Sequence, residues 1–229
     1  AYAEIAIEGE VLPDKTAPEG PFGEWTGYYA SSVREENLFQ VKAIYHRNDP
    51  IILGNPPGRP PYAVGTMATC FARAGQIKAE LQKAGVPDVV GVWSHEVGGH
   101  RLLTVVSIRQ RYPGHARQAA LIASFCRAGA YLGRYVIVVD DDIDVADLND
   151  VMWAVCTRSD PASSIEIIRR CWSGPLDPAI PTERKGLNSR AIIDACRPYE
   201  WRSEFPDVVD VEEKLKKEVN EKWGGLFSS

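Results

Sequence analysis

Cys-x-x-Cys pairs are missing from this chain, although it holds five cysteines, Cys70, Cys126, Cys156, Cys171 and Cys196. Their odd number and wide spacing exclude a zinc ribbon and a disulfide framework, and fit a reducing, cytoplasmic setting. Also missing is any block of Lys and Arg; with a formal net charge of -5, no nucleic-acid partner is expected. No apolar run approaches the roughly 20 residues that cross a bilayer, so no membrane partner is expected and the chain reads as soluble. Internal repeats and low-complexity tracts are absent too. What remains is 229 residues, 45% of them hydrophobic, enough to bury a real core as one large domain or two small ones.

Ala1 is followed at once by the alternating segment Tyr2-Ala3-Glu4-Ile5-Ala6-Ile7-Glu8, with no cap, linker or signal peptide before it. A lone strand has nowhere to send its backbone hydrogen bonds, so a processed or truncated product with strand partners on other residues is the expectation. Residues 1 to about 56 read as β. The run Gly54-Asn55-Pro56-Pro57-Gly58-Arg59-Pro60-Pro61 suits neither helix nor sheet and joins two regions.

Beyond it the pattern alternates. Helices are expected over Tyr62–Ala84, stopped by Gly85 and Pro87, over Gly114–Ala128 and over Val145–Arg158. Strands are expected over Val89–Ser94, Leu102–Ile108 and Tyr135–Val139. This is an α/β layer with its sheet covered on both faces. After Pro206, Val208, Val211, Leu215, Val219 and Trp223 recur at helical spacing with Glu and Lys opposite. Such a helix docks on its own domain or on a neighbouring subunit.

The segment Pro18-Glu19-Gly20-Pro21-Phe22-Gly23-Glu24-Trp25-Thr26-Gly27-Tyr28 sets two carboxylates on a Gly/Pro turn among aromatic rings. An offset of five sends Glu19 and Glu24 to opposite faces of a strand, so the Gly-Pro-Phe-Gly turn has to reverse or bulge for both to share one pocket. A carboxyl held against Phe22 and Trp25 is desolvated, which raises its pKa toward the range where it delivers a proton near neutrality. The alternative is a solvated surface turn.

Three other constellations carry weaker signals. Asp140-Asp141-Asp142-Ile143-Asp144 follows an apolar run and fits a metal-dependent glycosyl- or nucleotidyl-transferase site, or else capping and solvated charge, with Asp147 placed to cap the next helix. His95-Glu96-Val97-Gly98-Gly99-His100 fails as a zinc-protease helix, its histidines being five apart, and reads as a β-turn with incidental histidines. Arg127, near the end of an Ala-rich helix, serves either the negative helix pole or a ligand phosphate. Trp172-Ser173-Gly174-Pro175-Leu176 lines a pocket or forms a packed corner.

At Pro18–Tyr28 the chain strongly resembles the UbiD family of prenylated-FMN-dependent decarboxylases. Ala3–Gly9, His46-Arg47-Asn48-Asp49-Pro50, Asp141–Val145, Asp150–Ala154 and Thr157-Arg158 follow in the family's order and approximate spacing. The match is to the carboxyl-terminal half or so of a typical member, without the amino-terminal part that holds most cofactor and metal contacts. The resemblance implies an α/β (α+β) fold: residues 1–56 as the tail of a split-β-barrel cofactor domain, 62–190 as an α/β oligomerisation domain, and 207–229 as a C-terminal helix reaching a neighbour. It implies Glu24 as proton donor to the substrate carbon and Glu19 as its companion in a Glu-Arg-Glu network whose Arg lies in the absent part. Arg127 would meet the phosphate of prenylated FMN, where relatives can carry Lys. Trp25, Val64, Ala68, Gly174 and Leu176 would line the substrate pocket, Gly174 leaving room where a bulky ring could stand. The Arg158 backbone would help hold K+, other ligands of K+ and Mn2+ lying mainly outside this chain.

The implied reaction is reversible, non-oxidative decarboxylation of a small aromatic, heteroaromatic or α,β-unsaturated carboxylic acid, with the cofactor accepting the electrons freed as carbon dioxide leaves. The implied partners are a missing N-terminal segment or companion chain and further copies, as a dimer or hexamer. A transferase resting on Asp140–Asp144 and a non-catalytic assembly subunit are the rival readings.

Overall fold

The computed structural model describes residues 2–54, 57–61 and 64–226, and within these the side chains of residues 64–66 and 182 are left undescribed. Strands β1 (Ile5–Glu19) and β2 (Arg34–His46) form an antiparallel ribbon, registered from Ile5 opposite His46 to Glu19 opposite Arg34. The alternating start therefore runs on well past Glu8. It does so through two irregularities, at Glu8/Gly9 and between Leu12 and Thr16, the second looping out Pro13, which has no N–H to give the ladder. Gly9 is obligatory at the first, because a Cβ there would collide with the Gln40 carbonyl and the Phe39 ring. Ile7, Val11, Phe39, Val41, Ile44 and Tyr45 all remain exposed, as a two-stranded ribbon cannot cover both of its own faces.

The main sheet has the order β3-β4-β5-β7-β6, built from β3 (Val89–Ser94), β4 (Leu103–Ile108), β5 (Tyr135–Asp140), β6 (Ile165–Trp172) and β7 (Leu187–Ala195). The three central strands are parallel, and β3 and β6 close the edges antiparallel. Central parallel strands are buried on both faces, which is why Tyr135–Val139 reads as unbroken apolar sequence. Val106, Val136 and Val138 join one core with Ala74, Ile77 and Leu81 of α1 (Val64–Lys83) and Ala116, Ala119, Ala120 and Ala123 of α2 (His115–Phe125). Val105, Ile137 and Val139 join the opposite core with Val151 and Ala154 of α3 (Leu148–Arg158). The sheet is thus covered on both sides, as the periodicity anticipates.

Strands β6 and β7 and the short helix α4 (Pro161–Ser164) had no sequence signal strong enough to assign. β6 carries Arg169 and Arg170 at a bulge, and β7 buries Asn188 and Arg190, so polar residues interrupt both apolar patterns. The third helix starts three residues later than the sequence suggests. Asp144 accepts from Ala146 N at 2.9 Å and Asp150 from Asp144 N at 2.7 Å, holding residues 144–147 as a turn. Asp147 then caps the helix as expected, accepting from Asn149 N at 2.8 Å. Replacing it with Ala should cost about 1 kcal/mol, read as an earlier urea midpoint at an unchanged slope.

A second compact unit begins at Glu200 and carries α5 (Glu213–Trp223). Its expected stripe of Val208, Val211, Leu215, Val219 and Trp223 is present and half exposed, while Lys216 pairs with Asp210 and Glu213. Among the described residues no helix is long and apolar enough to cross a membrane.

Candidate active site

Gly20, at φ 93°, turns the chain out of β1, so Glu19 is the last residue of a strand and is exposed there. The next loop closes on itself: Glu24 N donates to the Tyr28 carbonyl at 3.0 Å and Gly27 N to the Glu24 carbonyl at 2.8 Å. Gly27, at φ 83°, lies so close to Arg59 that no other residue fits. Glu24 is half buried and accepts a long hydrogen bond, 3.4 Å, from Ser31 Oγ. Phe22 is 56% exposed, which corrects the expectation that its ring shields a carboxyl. Trp25 does turn inward.

The seat of Trp25 is the segment first read as an incidental β-turn. Residues Glu96–Gly98 form one 3-10 turn, and Gly99 follows at φ 58°, where a Cβ would strike the Trp25 ring. His95 is buried and its Nε2 lies 2.9 Å from the Val145 carbonyl, so it pins the turn. His100 is buried with its ring centroid 6.0 Å from that of Trp25, and the Arg101 guanidinium lies 5.7 Å from the Trp25 ring and 5.9 Å from that of Tyr131. Gly99 thus admits an aromatic ring, and the two residues after it meet that ring.

Arg101 leads into a cleft of about 600 Å³ bordered by Arg73, Gln76 and Glu80 on α1 and by Arg127 and Tyr131 after α2. Burial, and then the neighbouring Arg101, pull the Arg73 pKa down to about 10. Burial, followed by Arg101 and Arg73, pushes His100 down to about 4, so it is neutral at pH 7. His100 Nδ1 and Arg101 Nε are buried, and neither has a hydrogen-bond partner among the described residues. With Arg73 and Arg101 partly buried, Arg127 exposed and Glu80 as the carboxylate among the described lining residues, the cleft carries surplus positive charge and is receptive to an anion, and a flavin phosphate fits that requirement.

Arg190 shapes the wall that carries Arg127. Only 2% exposed on β7, it donates to the carbonyls of Ser124, Gly129, Ala130 and Trp172 and lies 5.0 Å from the Phe125 ring. By taking the Ser124 carbonyl it ends α2 at Phe125, three residues earlier than its alanine content suggests. Gly129 allows the following turn to fold against the Ala123 carbonyl, where a Cβ would collide.

Of the residues singled out from sequence, Arg127 borders the cleft and Trp25 meets it through Arg101. Ala68 is exposed one position before Thr69, which also borders it. The side chain of Val64 lies outside the described residues. Gly174 sits behind Tyr131, whose hydroxyl fills the space a Cβ would need, so the room expected there is already taken. Leu176 is half buried in the same turn, which Asp177 fixes by accepting from Ser173 Oγ at 3.0 Å and by pairing with Arg134. Arg73, Arg101 and Tyr131 carry no sequence signal, Arg73 passing for the polar face of a helix, and His100, read as incidental, belongs beside the Trp25 ring.

The Asp140–Asp144 cluster is an ion-pair network. Asp140, 3% exposed, accepts from Gln110 Nε2 at 2.7 Å and Arg197 N at 2.7 Å and pairs with the buried Arg158. Asp142 takes both terminal nitrogens of Arg158, at 2.9 and 2.8 Å, and pairs with Arg197; Asp141 pairs with Arg109 at 2.8 Å. These partnerships overturn the transferase reading, and the solvated-charge reading of Asp140 with it. Among the described residues no group of three His, Cys, Asp or Glu side chains could hold a metal ion.

A mixed α/β unit carrying an anion-receptive cleft is the class of protein this geometry defines. The model of the 3-octaprenyl-4-hydroxybenzoate carboxy-lyase C-terminal domain matches residues 66–195, and that of the Rift-related domain of the same carboxy-lyases matches residues 1–60. The chain belongs to the UbiD family. The UbiD-class enzyme HmfF from Pelotomaculum thermopropionicum, solved with FMN, is similar at 28% identity and a TM-score of 0.79, over 93% of this chain and 45% of its own. An evolved dimeric form of HmfF, solved with prFMN, matches at 26% identity and a TM-score of 0.72, over 93% and 43%. The vanillic acid decarboxylase of Sedimentibacter hydroxybenzoicus in closed form matches at 29% identity and a TM-score of 0.77, over 99% and 46%. The chain therefore spans about half the length of these relatives.

Proposed function

We propose that this chain is part of an enzyme that reversibly decarboxylates a small aromatic, heteroaromatic or α,β-unsaturated carboxylic acid, without oxidation, using prenylated FMN. The observation that carries the reading is the Glu24–Trp25 turn, seated on Gly99 and joined through Arg101 to the cleft bordered by Arg127. When bound, prenylated FMN supplies the electron sink for the departure of carbon dioxide. Arg127 holds its phosphate, and the anion-receptive lining of the cleft supports that role.

Glu24 gives a proton to the carbon that has lost the carboxylate, as general acid. Its carboxyl is half buried beside Ser31 and next in sequence to the inward-turned Trp25, so it is positioned and only partly hydrated. Glu19 is its companion acid. Trp25, with Val64, Ala68 and Leu176, orients the acid and excludes water, and Gly174 serves by backing the Tyr131 ring. The Arg158 backbone, beside Thr157, contributes to a K+ site, and the remaining K+ and Mn2+ ligands come from outside this chain. No step assigned here passes through either ion.

We further take residues 1–56 as the end of the prenylated-FMN domain, 62–190 as the oligomerisation domain and 207–229 as a helix reaching another copy in a dimer or hexamer. The two family matches and the exposed stripe of α5 support this division. The ribbon's exposed apolar side chains support a covering N-terminal segment or companion polypeptide. In the test, the protein is purified with that companion, a flavin absorbance band is sought, and carbon dioxide release is measured over benzoate-, furoate- and cinnamate-type acids. The expected result is turnover by the flavin-loaded complex and none by residues 1–229 alone. A loaded complex that neither releases carbon dioxide nor exchanges substrate hydrogen for deuterium would overturn the reading.

A further inference from the structure

Arg73, Arg101 and Arg127 border one cleft, and among the described residues none of them is paired with a carboxylate. Elsewhere the pattern differs: Arg134 is matched by Asp177, Arg117 by Glu166, and Arg158 by Asp140 and Asp142. Arg73 makes one long contact, 3.5 Å, to the Tyr131 carbonyl, and Arg101 meets two ring faces while its buried Nε lacks a partner. Burial lowers the pKa of both guanidinium groups, and the charge on Arg101 lowers that of Arg73 further, so the pair costs free energy that an oxyanion between them would offset. The rings of Trp25 and Tyr131 beside Arg101 suit an anion borne on a flat, apolar body.

We infer that Arg73 and Arg101 together seat an oxyanion, carboxylate or phosphate, adjacent to the position of Arg127. The two sources this chemistry allows are the carboxylate of an aromatic acid and the phosphate of a cofactor. The inference deepens the function proposed above, and only its choice between sources rests on that reading. The seat itself follows from unpaired charge and cavity, independent of any turnover.

Its test reads binding alone. Inorganic phosphate and benzoate are titrated separately into the purified protein at pH 7 by calorimetry, with R73M, R101M and R101K in parallel and circular dichroism confirming that each is folded. For at least one probe, R101M and R73M should each weaken binding about tenfold or more, with R101K between R101M and the unaltered protein. Loss confined to benzoate assigns the seat to the acid, and loss confined to phosphate to the cofactor. A second readout follows His100 by NMR: at saturation, the probe whose binding the variants weaken should raise its midpoint from about 4, because the anion screens Arg73 and Arg101, and R101M should blunt that rise. Folded R73M and R101M proteins that bind both probes within threefold of the unaltered protein would overturn the inference. So would an unaltered protein that binds neither, or a His100 midpoint unmoved by the probe whose binding the variants weaken. None of these outcomes depends on flavin or decarboxylation, so a failed seat and a failed decarboxylase are distinguishable.

Discussion

Glu24→Gln is expected to lower carbon dioxide release by the complete, flavin-loaded enzyme by about 10²–10⁴-fold, the usual worth of a positioned general acid. Deuterium exchange into the substrate carbon should fall with it, since both need the same proton transfer. Flavin content and fold should not change. Gln keeps the size of the side chain and an oxygen to accept from Ser31, and the backbone bonds from Glu24 N to the Tyr28 carbonyl and from Gly27 N to the Glu24 carbonyl do not involve the side chain. A variant that lost activity because the loop had collapsed would also disturb Trp25 and its contact with Arg101, visible as altered tryptophan fluorescence. Turnover within a few-fold of the unaltered enzyme would remove Glu24 from the chemistry.

Much of this site is legible in the sequence where a residue's local conformation constrains it. Asp147 before Leu148 announces a helix cap, and the unbroken run Tyr135–Val139 announces a strand buried on both faces; both hold. Of the two glycines in the Gly-Pro-Phe-Gly turn, Gly20 adopts the positive φ that disfavours other residues and Gly23 does not; Gly27 takes it instead. What stays hidden is set by contacts across the chain. The Gly98-Gly99 pair reads as a helix breaker, and nothing local says that the Trp25 ring, more than 70 residues earlier, occupies the space. Asp140–Asp144 reads as a metal cluster because Arg158 and Arg197, its partners, lie on other elements. Gly174 suggests room, and Tyr131 fills it from a distant turn. The ribbon continues beyond Pro13, a strand breaker by local rules, because the chain there is looped out of the ladder.

Arg190→Met should be the most damaging substitution away from the chemistry. The guanidinium is buried without a carboxylate of its own, and four main-chain carbonyls, three of them from Ser124–Ala130, take its place as counter-dipoles. Those carbonyls end α2 and begin the turn that presents Arg127 and Tyr131 to the cleft. Met keeps an apolar stem about as far as the Arg190 Nε, loses the guanidinium that faces Phe125 and donates nothing. Each buried carbonyl left unsatisfied costs about 1–3 kcal/mol, so with partial relaxation a loss of roughly 3–5 kcal/mol is expected, a large share of the stability of an ordinary domain. Urea unfolding measures the loss, and hydrogen exchange should show residues 126–131 opening before the sheet does. Arg190→Lys keeps the charge with a shorter reach to fewer carbonyls and should fall between. A Met variant within about 1 kcal/mol of the unaltered protein, with residues 126–131 still protected, would mean that the turn holds itself and that Arg190 is a passenger on β7.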